Sequence, residues 1–194
     1  MRAGVVDQRT RPIKNIWDSI VTSTNWSKLQ YNAGDVSSPA LERITSESRP
    51  FIRATQPSTP VAGQPGFYIT QMLLPTGRQY RLSMWIRISK PTTLNIYIRD
   101  WGVGDYVITP TALSANTWTR VNCLYTPVGS QGVSILARGI AVNDFPAGTT
   151  MDARDVMITE GPILFPYTDG DTPGWKWLGT PGLSASAGPA LLTP

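Results

Sequence analysis

Between residues 79 and 88 the chain alternates without a slip. Tyr80, Leu82, Met84, Ile86 and Ile88 fall on one register, and Arg81, Ser83, Trp85 and Arg87 on the other. A period of two sends successive side chains to opposite faces of a strand, so this segment has one face for a core and one that looks outward. Residues 93–101 repeat the pattern, with Leu94, Ile96 and Ile98 inward and Asn95, Tyr97, Arg99 and Trp101 opposite. A helix cannot satisfy that period. The chain must therefore build sheets with one buried face each.

The remaining segments agree. Short strand-like runs occupy residues 15–21, 41–45, 51–55, 67–74, 118–125, 133–142 and 151–159, which makes eight or nine strands and no convincing helix. Turn material separates them, including Pro75-Thr76-Gly77, Ser89-Lys90-Pro91-Thr92, Pro127-Val128-Gly129 and Asp144-Phe145-Pro146-Ala147-Gly148. The stretch QPSTPVAGQPG is too rich in proline to pair inside a sheet, and Trp26 falls in a Ser/Thr/Asn-rich loop. Seventeen glycines, seventeen prolines and only 15% charged residues fit many short strands and turns. Such a pattern predicts an antiparallel two-sheet jelly-roll sandwich over residues 15–166. An extended N-terminal arm, 1–14, precedes it, and an aromatic C-terminal arm and tail, 167–194, follows.

Chemistry is limited by what is missing. Without histidine there is no Ser-His-Asp or Cys-His catalysis and no His-based metal site. The single cysteine, Cys123, lies in the apolar run TWTRVNCLYT and reads as a buried small hydrophobe. Asp100, Asp105, Asp144, Asp152, Asp155 and Glu160 show no spacing that argues for a general acid/base pair, so no enzyme is expected. Asp152 and Asp155, flanking a strand, are weak candidates for a structural calcium, with a surface or turn role the commoner one. Asp169-Gly170-Asp171 reads as a turn. The net charge of +4 is spread over Arg43, Arg49, Arg53, Arg78, Arg120 and Arg138, which predicts solvated singles and no nucleic-acid partner. The one local cluster, Arg2, Arg9, Arg11 and Lys14, suits docking on an acidic neighbour. No apolar run reaches the roughly 20 residues of a membrane span, and the polar N-terminus has no secretory signal. The protein is expected to stay where it is made, or to leave as part of an assembly.

Binding is the remaining expectation. If residues 89–93 form a hairpin with Ile88 opposite Leu94, one sheet face carries Arg81, Trp85, Arg87, Tyr97, Arg99 and Trp101 together. Flat aromatics beside planar polar groups suit a sugar, which stacks its C–H face and hydrogen-bonds its hydroxyls. The commoner alternative is that these side chains stack on one another and are covered by loops or a neighbouring subunit. After Pro162, Tyr167, Trp175 and Trp177 form an aromatic arm. The two tryptophans, two residues apart, point the same way in an extended chain and could enter one groove, on a partner or on the domain itself. Residues 184–194 read as a linker or a tail ordered only by a partner.

Two resemblances sharpen this. PTGRQYRLSMWIRIS resembles the G-x-x-Y-x-x-S-x-W-x-R strand of family 4/9/22-type carbohydrate-binding modules, NTWTRVNCLYT their W-x-R-V strand, and TMDARDVMITEG their final strand. Residues 15–166 are covered. The usual opening motif, N-x-x-F-E, is here Asn15 followed by IWDSIVTSTNW, without its acidic residue, which argues against a family-type calcium site. The run DVMITEGPILFPYTDGDTPGWKWLGTPGLSAS is similar to the end of jelly-roll domains in minor tail and other virion proteins of tailed phages infecting actinobacteria. That resemblance implies a virion structural protein, on the tail rather than the capsid surface. Its implied partners are other virion proteins, further copies of itself and a host cell-wall glycan. A capsid decoration protein and a glycan-binding adhesion module are the alternatives.

Overall fold

The computed structural model describes residues 12–15, 26–29, 40–55, 66–69, 73–139, 146–179 and 186–190, and among them there is no helix. Two five-stranded sheets face each other. The front sheet runs β2 (Trp26–Leu29), β5 (Gly66–Ile69), β10 (Val133–Gly139), β7 (Thr92–Asp100) and β8 (Gly104–Leu113). The back sheet runs β3 (Ala40–Ile44), β4 (Phe51–Thr55), β11 (Thr150–Glu160), β6 (Tyr80–Ile88) and β9 (Thr119–Tyr125). A third, small sheet joins β1 (Pro12–Asn15), β13 (Ser186–Ala190) and β12 (Lys176–Trp177), and is called the clasp below. Each neighbouring pair is antiparallel. The antiparallel sandwich expected from the alternation is the fold.

The core lies between the two large sheets and is made of the residues that the period of two turned inward. Leu82, Met84, Ile86 and Ile88 enter from the back sheet, and Leu94, Ile96 and Ile98 from the front. Each such side chain contributes about 1.5–3 kcal/mol on burial, so this row alone dominates the stabilising side of folding. Cys123 and Val121 of β9 and Ala153, Val156 and Ile158 of β11 complete the layer.

The expected hairpin does not form. β6 pairs with β11 and β9, while β7 pairs with β10 and β8, so the two best strands belong to different sheets. Ile88 and Leu94 face the same core from opposite sides, at 1% and 0% exposure. The link between them is tied to the back sheet: the Ser89 amide donates to the Thr150 carbonyl at 2.9 Å, and the Thr150 amide donates to Ser89 Oγ at 2.9 Å. From there the chain crosses over. An apolar face specifies only that a strand lies against a core, and two such strands satisfy it face to face as well as side by side.

Other differences have local causes. β8 was not expected, because Gly104 and Pro110 interrupt its pattern; as the end strand of its sheet it tolerates a proline that lacks an N–H. Trp26 opens a strand instead of sitting in a loop. Asp152 and Asp155 lie within β11 and do not flank it. Asp155 occupies a bulge between Arg154 and Met157 with φ 55°, a left-handed conformation that aspartate accepts better than most residues. Of the predicted runs, residues 16–21, 70–72 and 140–142 lie outside the described residues, as do the loop 56–65, Asp144 and the cluster Arg2, Arg9 and Arg11.

Candidate functional site

With β6 and β7 in separate sheets, the six residues expected on one face divide into two groups. Arg81, Trp85 and Arg87 lie on the outer face of the back sheet, and Tyr97, Arg99 and Trp101 on that of the front sheet.

The back face is committed to internal contacts. Asp152, 2% exposed, accepts hydrogen bonds from Arg53 Nε (2.7 Å), Arg53 Nη2 (2.9 Å) and Arg87 Nε (2.9 Å). The Arg87 guanidinium also lies 4.9 Å from the Phe51 ring and 4.5 Å from that of Trp118, while Arg154 sits 4.0 Å over Trp118. Glu47 meets Arg87 at 2.9 Å, and Asp155 meets Arg49 at 2.7 Å. Trp85, half-buried, stands in a row with Arg120 on one side and Arg154 on the other. Arg49 and Arg53, expected as solvated singles, thus join Arg87 and Arg154 in one network. The weak calcium candidates fall inside it. A carboxylate bracketed by guanidiniums sits in positive potential, which opposes a divalent cation. Among the described residues no three His, Cys, Asp or Glu side chains gather as a metal site.

The chain after β11 runs back across this face as a strap. The Gly161 amide donates to the Gln79 carbonyl at 2.7 Å. Arg81 then grips the Pro162 carbonyl with Nε (3.0 Å) and Nη2 (2.7 Å) and holds Asn122 Oδ1 with Nη1 (3.0 Å). Arg120 donates to the Phe165 carbonyl and to Ser83 Oγ (2.9 Å), with the Phe165 side chain buried. Tyr167 lies under Arg49, 5.2 Å from guanidinium to ring, and donates from its hydroxyl to Asp169 Oδ2 at 3.0 Å. Asp169 organises the following turn by accepting from the Asp171 amide (3.0 Å) and Thr172 Oγ1 (3.2 Å).

Trp175 and Trp177 seat on glycines of the same chain. A Cβ on Gly188 would collide with the Trp175 indole, and one on Gly170 with the Trp177 indole. Trp177 Nε1 also donates to Asp171 Oδ1 at 2.9 Å. In the clasp, Lys176 and Trp177 pair with Ala187 and Ser186, and the latter two with Lys14 and Asn15 of β1. Of the two grooves the sequence leaves open to this arm, on a partner or on the domain itself, the described contacts of Tyr167, Trp175 and Trp177 are with the chain's own residues. Part of the expected tail is a strand as well: its small residues are what allow an indole to lie flat against it.

The front face carries Tyr97 and Trp101. Tyr97 is 7% exposed and its hydroxyl accepts from Asn95 Nδ2 at 3.0 Å, so its ring is not an open platform. Trp101, half-buried just past the end of β7, has Arg99 5.2 Å over its ring. Its indole N–H donates to Ser134 Oγ at 2.9 Å, and Ser134 is fully buried. Val103, exposed, lies two residues further along the same turn, and the exposed Val128 belongs to the loop whose amide meets Asp100. A partly exposed indole, fixed through its N–H and accompanied by a guanidinium, suits stacking against the C–H face of a ring-shaped ligand. Ser134 and the Asp100 cradle were missed at the sequence level, since neither has a signal beyond its place in a strand.

Asp100 is fully buried and accepts from the Tyr125 hydroxyl (2.8 Å), the Val128 amide (2.8 Å) and the Gly129 amide (3.0 Å). Burial pushes its carboxyl up, but the Gly129 and Val128 amides and the Tyr125 hydroxyl together outweigh that and hold it below the usual range. Glu160 meets Arg78 at 3.2 Å. Asp100, Asp152, Asp155 and Glu160 thus each serve a structural contact, and the Asp105 side chain lies outside the described set. Cys123 is 4% exposed, and burial pushes its thiol up to about 12, so it packs as a hydrophobe.

No protein-family model and no curated protein matches the chain. Solved structures do. The CBM22-2 xylan-binding domain of Paenibacillus barcinonensis Xyn10C superposes with a TM-score of 0.55 at 13% identity, covering 77% of this chain and 98% of that one. The CBM22-1 xylan-binding domain of the same protein gives 0.52 at 9% identity, over 78% and 96%. The CBM22-1 and GH10 modules of Clostridium thermocellum xylanase 10B, complexed with xylohexaose, give 0.53 at 13% identity, over 81% of this chain. This chain spans only 30% of that protein. At such identities the likeness is one of fold: an antiparallel jelly-roll sandwich similar to those of carbohydrate-binding modules.

Proposed function

We propose that the chain is a non-catalytic phage virion protein, carried on the tail, whose front face binds a glycan of the host surface. One observation carries the binding half. The Trp101 indole stands half-exposed at the rim of the front face, its N–H held by Ser134 Oγ and the Arg99 guanidinium 5.2 Å from its ring. The fold shared with xylan-binding domains supports the same ligand class. The virion half rests on the resemblance of residues 155–186 to virion jelly-roll proteins. There the sandwich serves as a scaffold, held by other virion proteins and by further copies of the chain.

Glycan arrays and pull-down on actinobacterial cell-wall polysaccharide test the binding half, with retention of the wild-type protein expected. Immunogold labelling of purified particles tests the other half. Label on the tail is expected; label confined to the head would replace the tail assignment with capsid decoration, and unlabelled particles would remove the virion assignment altogether.

A further inference from the structure

We infer that Asp100 is the positioning residue of the front face: it locks the turn carrying Trp101 to the 127–132 loop, so that the aromatic wall stands preformed before a ligand arrives. The inference rests on the glycan reading and assigns its rigidity to one buried side chain. The carboxylate lies one residue before Trp101 and ties three separate pieces together. Tyr125 belongs to the end of β9 in the back sheet, and Val128 and Gly129 belong to the loop that leads into β10. The Trp101 amide donates to the Gly132 carbonyl at 2.9 Å, and the Val103 amide closes the turn on the Asp100 carbonyl at 3.0 Å.

The two turns also interlock sterically. A Cβ on Gly129 would strike Asp100 Oδ1, Val103 and the Trp101 carbonyl, and a Cβ on Gly102 would meet the Gln131 side chain. Trp101 is finally oriented through its indole N–H by Ser134, two residues beyond that loop. A wall fixed from both sides loses little freedom on binding, which is how a shallow face gains affinity from few contacts. Asp100 itself touches no ligand. It acts through Trp101.

The test uses the full chain as Asp100→Asn, Tyr125→Phe and Trp101→Ala, with Asp152→Asn on the back face as control. Amide hydrogen exchange reads the lock without any ligand, and affinity for actinobacterial cell-wall polysaccharide reads its consequence. The result expected for Asp100→Asn is lost protection at residues 101–104 and 128–132, retained protection in β6 and β11, and binding about tenfold weaker. Tyr125→Phe should fall between it and wild type, and Asp152→Asn should bind as wild type. Unchanged exchange in Asp100→Asn, or wild-type affinity in it, overturns the positioning role and leaves the glycan reading standing. A wild-type protein that binds no polysaccharide overturns the glycan reading instead, and the lock is then decided by the exchange rates alone.

Discussion

Two carboxylates of the sandwich respond to acid in opposite directions. Asp100 has a folded-state pKa below its unfolded value of about 3.9, so its stabilisation is complete above that pH and is lost as pH falls through the lower folded-state value. Asp155 is the reverse. Burial raises its carboxyl despite Arg49 and Arg154, so acidification through its folded-state value relieves a cost. Asp100→Asn is expected to lose about 1.5–3 kcal/mol at neutral pH, because charge-assisted bonds to Tyr125, Val128 and Gly129 are weakened. Thermal melts from pH 7 down to about 2.5 should show the gap to wild type narrowing below about pH 4. A gap that stays constant on acidification would show that the Asp100 charge is not what holds the loop. Cys123 gives a second check at this scale. With its thiol raised to about 12, it should not react with a thiol reagent near neutral pH until the protein is unfolded.

Among the elements, the strap and clasp were the least legible parts of the sequence. β6 and β7 could be read directly, since every residue assigned to their inner faces is buried. Which sheet each joined could not be read, because alternation reports a face and not a neighbour. The back-face network was hidden for a similar reason: Arg49, Arg53, Arg87, Arg120 and Arg154 are far apart along the chain and meet only when β4, β6, β9 and β11 lie side by side. The segment around Ser186 and Gly188 has the composition of a linker, yet its small residues provide the flat surface on which Trp175 rests. Replacing Arg120 with Ala strands the Phe165 carbonyl without its cationic donor and should cost about 1–3 kcal/mol. Limited proteolysis should then cut within residues 162–179 several-fold faster than in wild type, where residues 167–179 are expected to resist cleavage without any partner. Equal cutting rates would mean that the strap is held by something other than its arginine grips.

Across the whole molecule, β1 and β13 pair, so the described residues 12–15 and 186–190 form one structural unit. Deleting residues 1–15 should therefore expose the amides of residues 186–190 to exchange while leaving the protection of β6 and β11 intact. The larger division is between a back face spent on its own strap and a front face that keeps an indole at its rim. On the proposed reading, recognition belongs to the front face. The most direct measurement is a titration of wild-type, Trp101→Ala and Trp85→Ala proteins against actinobacterial cell-wall polysaccharide. Loss of a stacking indole should weaken Trp101→Ala by roughly five- to 150-fold, taking the ~1–3 kcal/mol of a flat ring stacked on an aromatic side chain, and Trp85→Ala should bind as wild type. Binding lost in Trp85→Ala but kept in Trp101→Ala would place recognition on the back face instead.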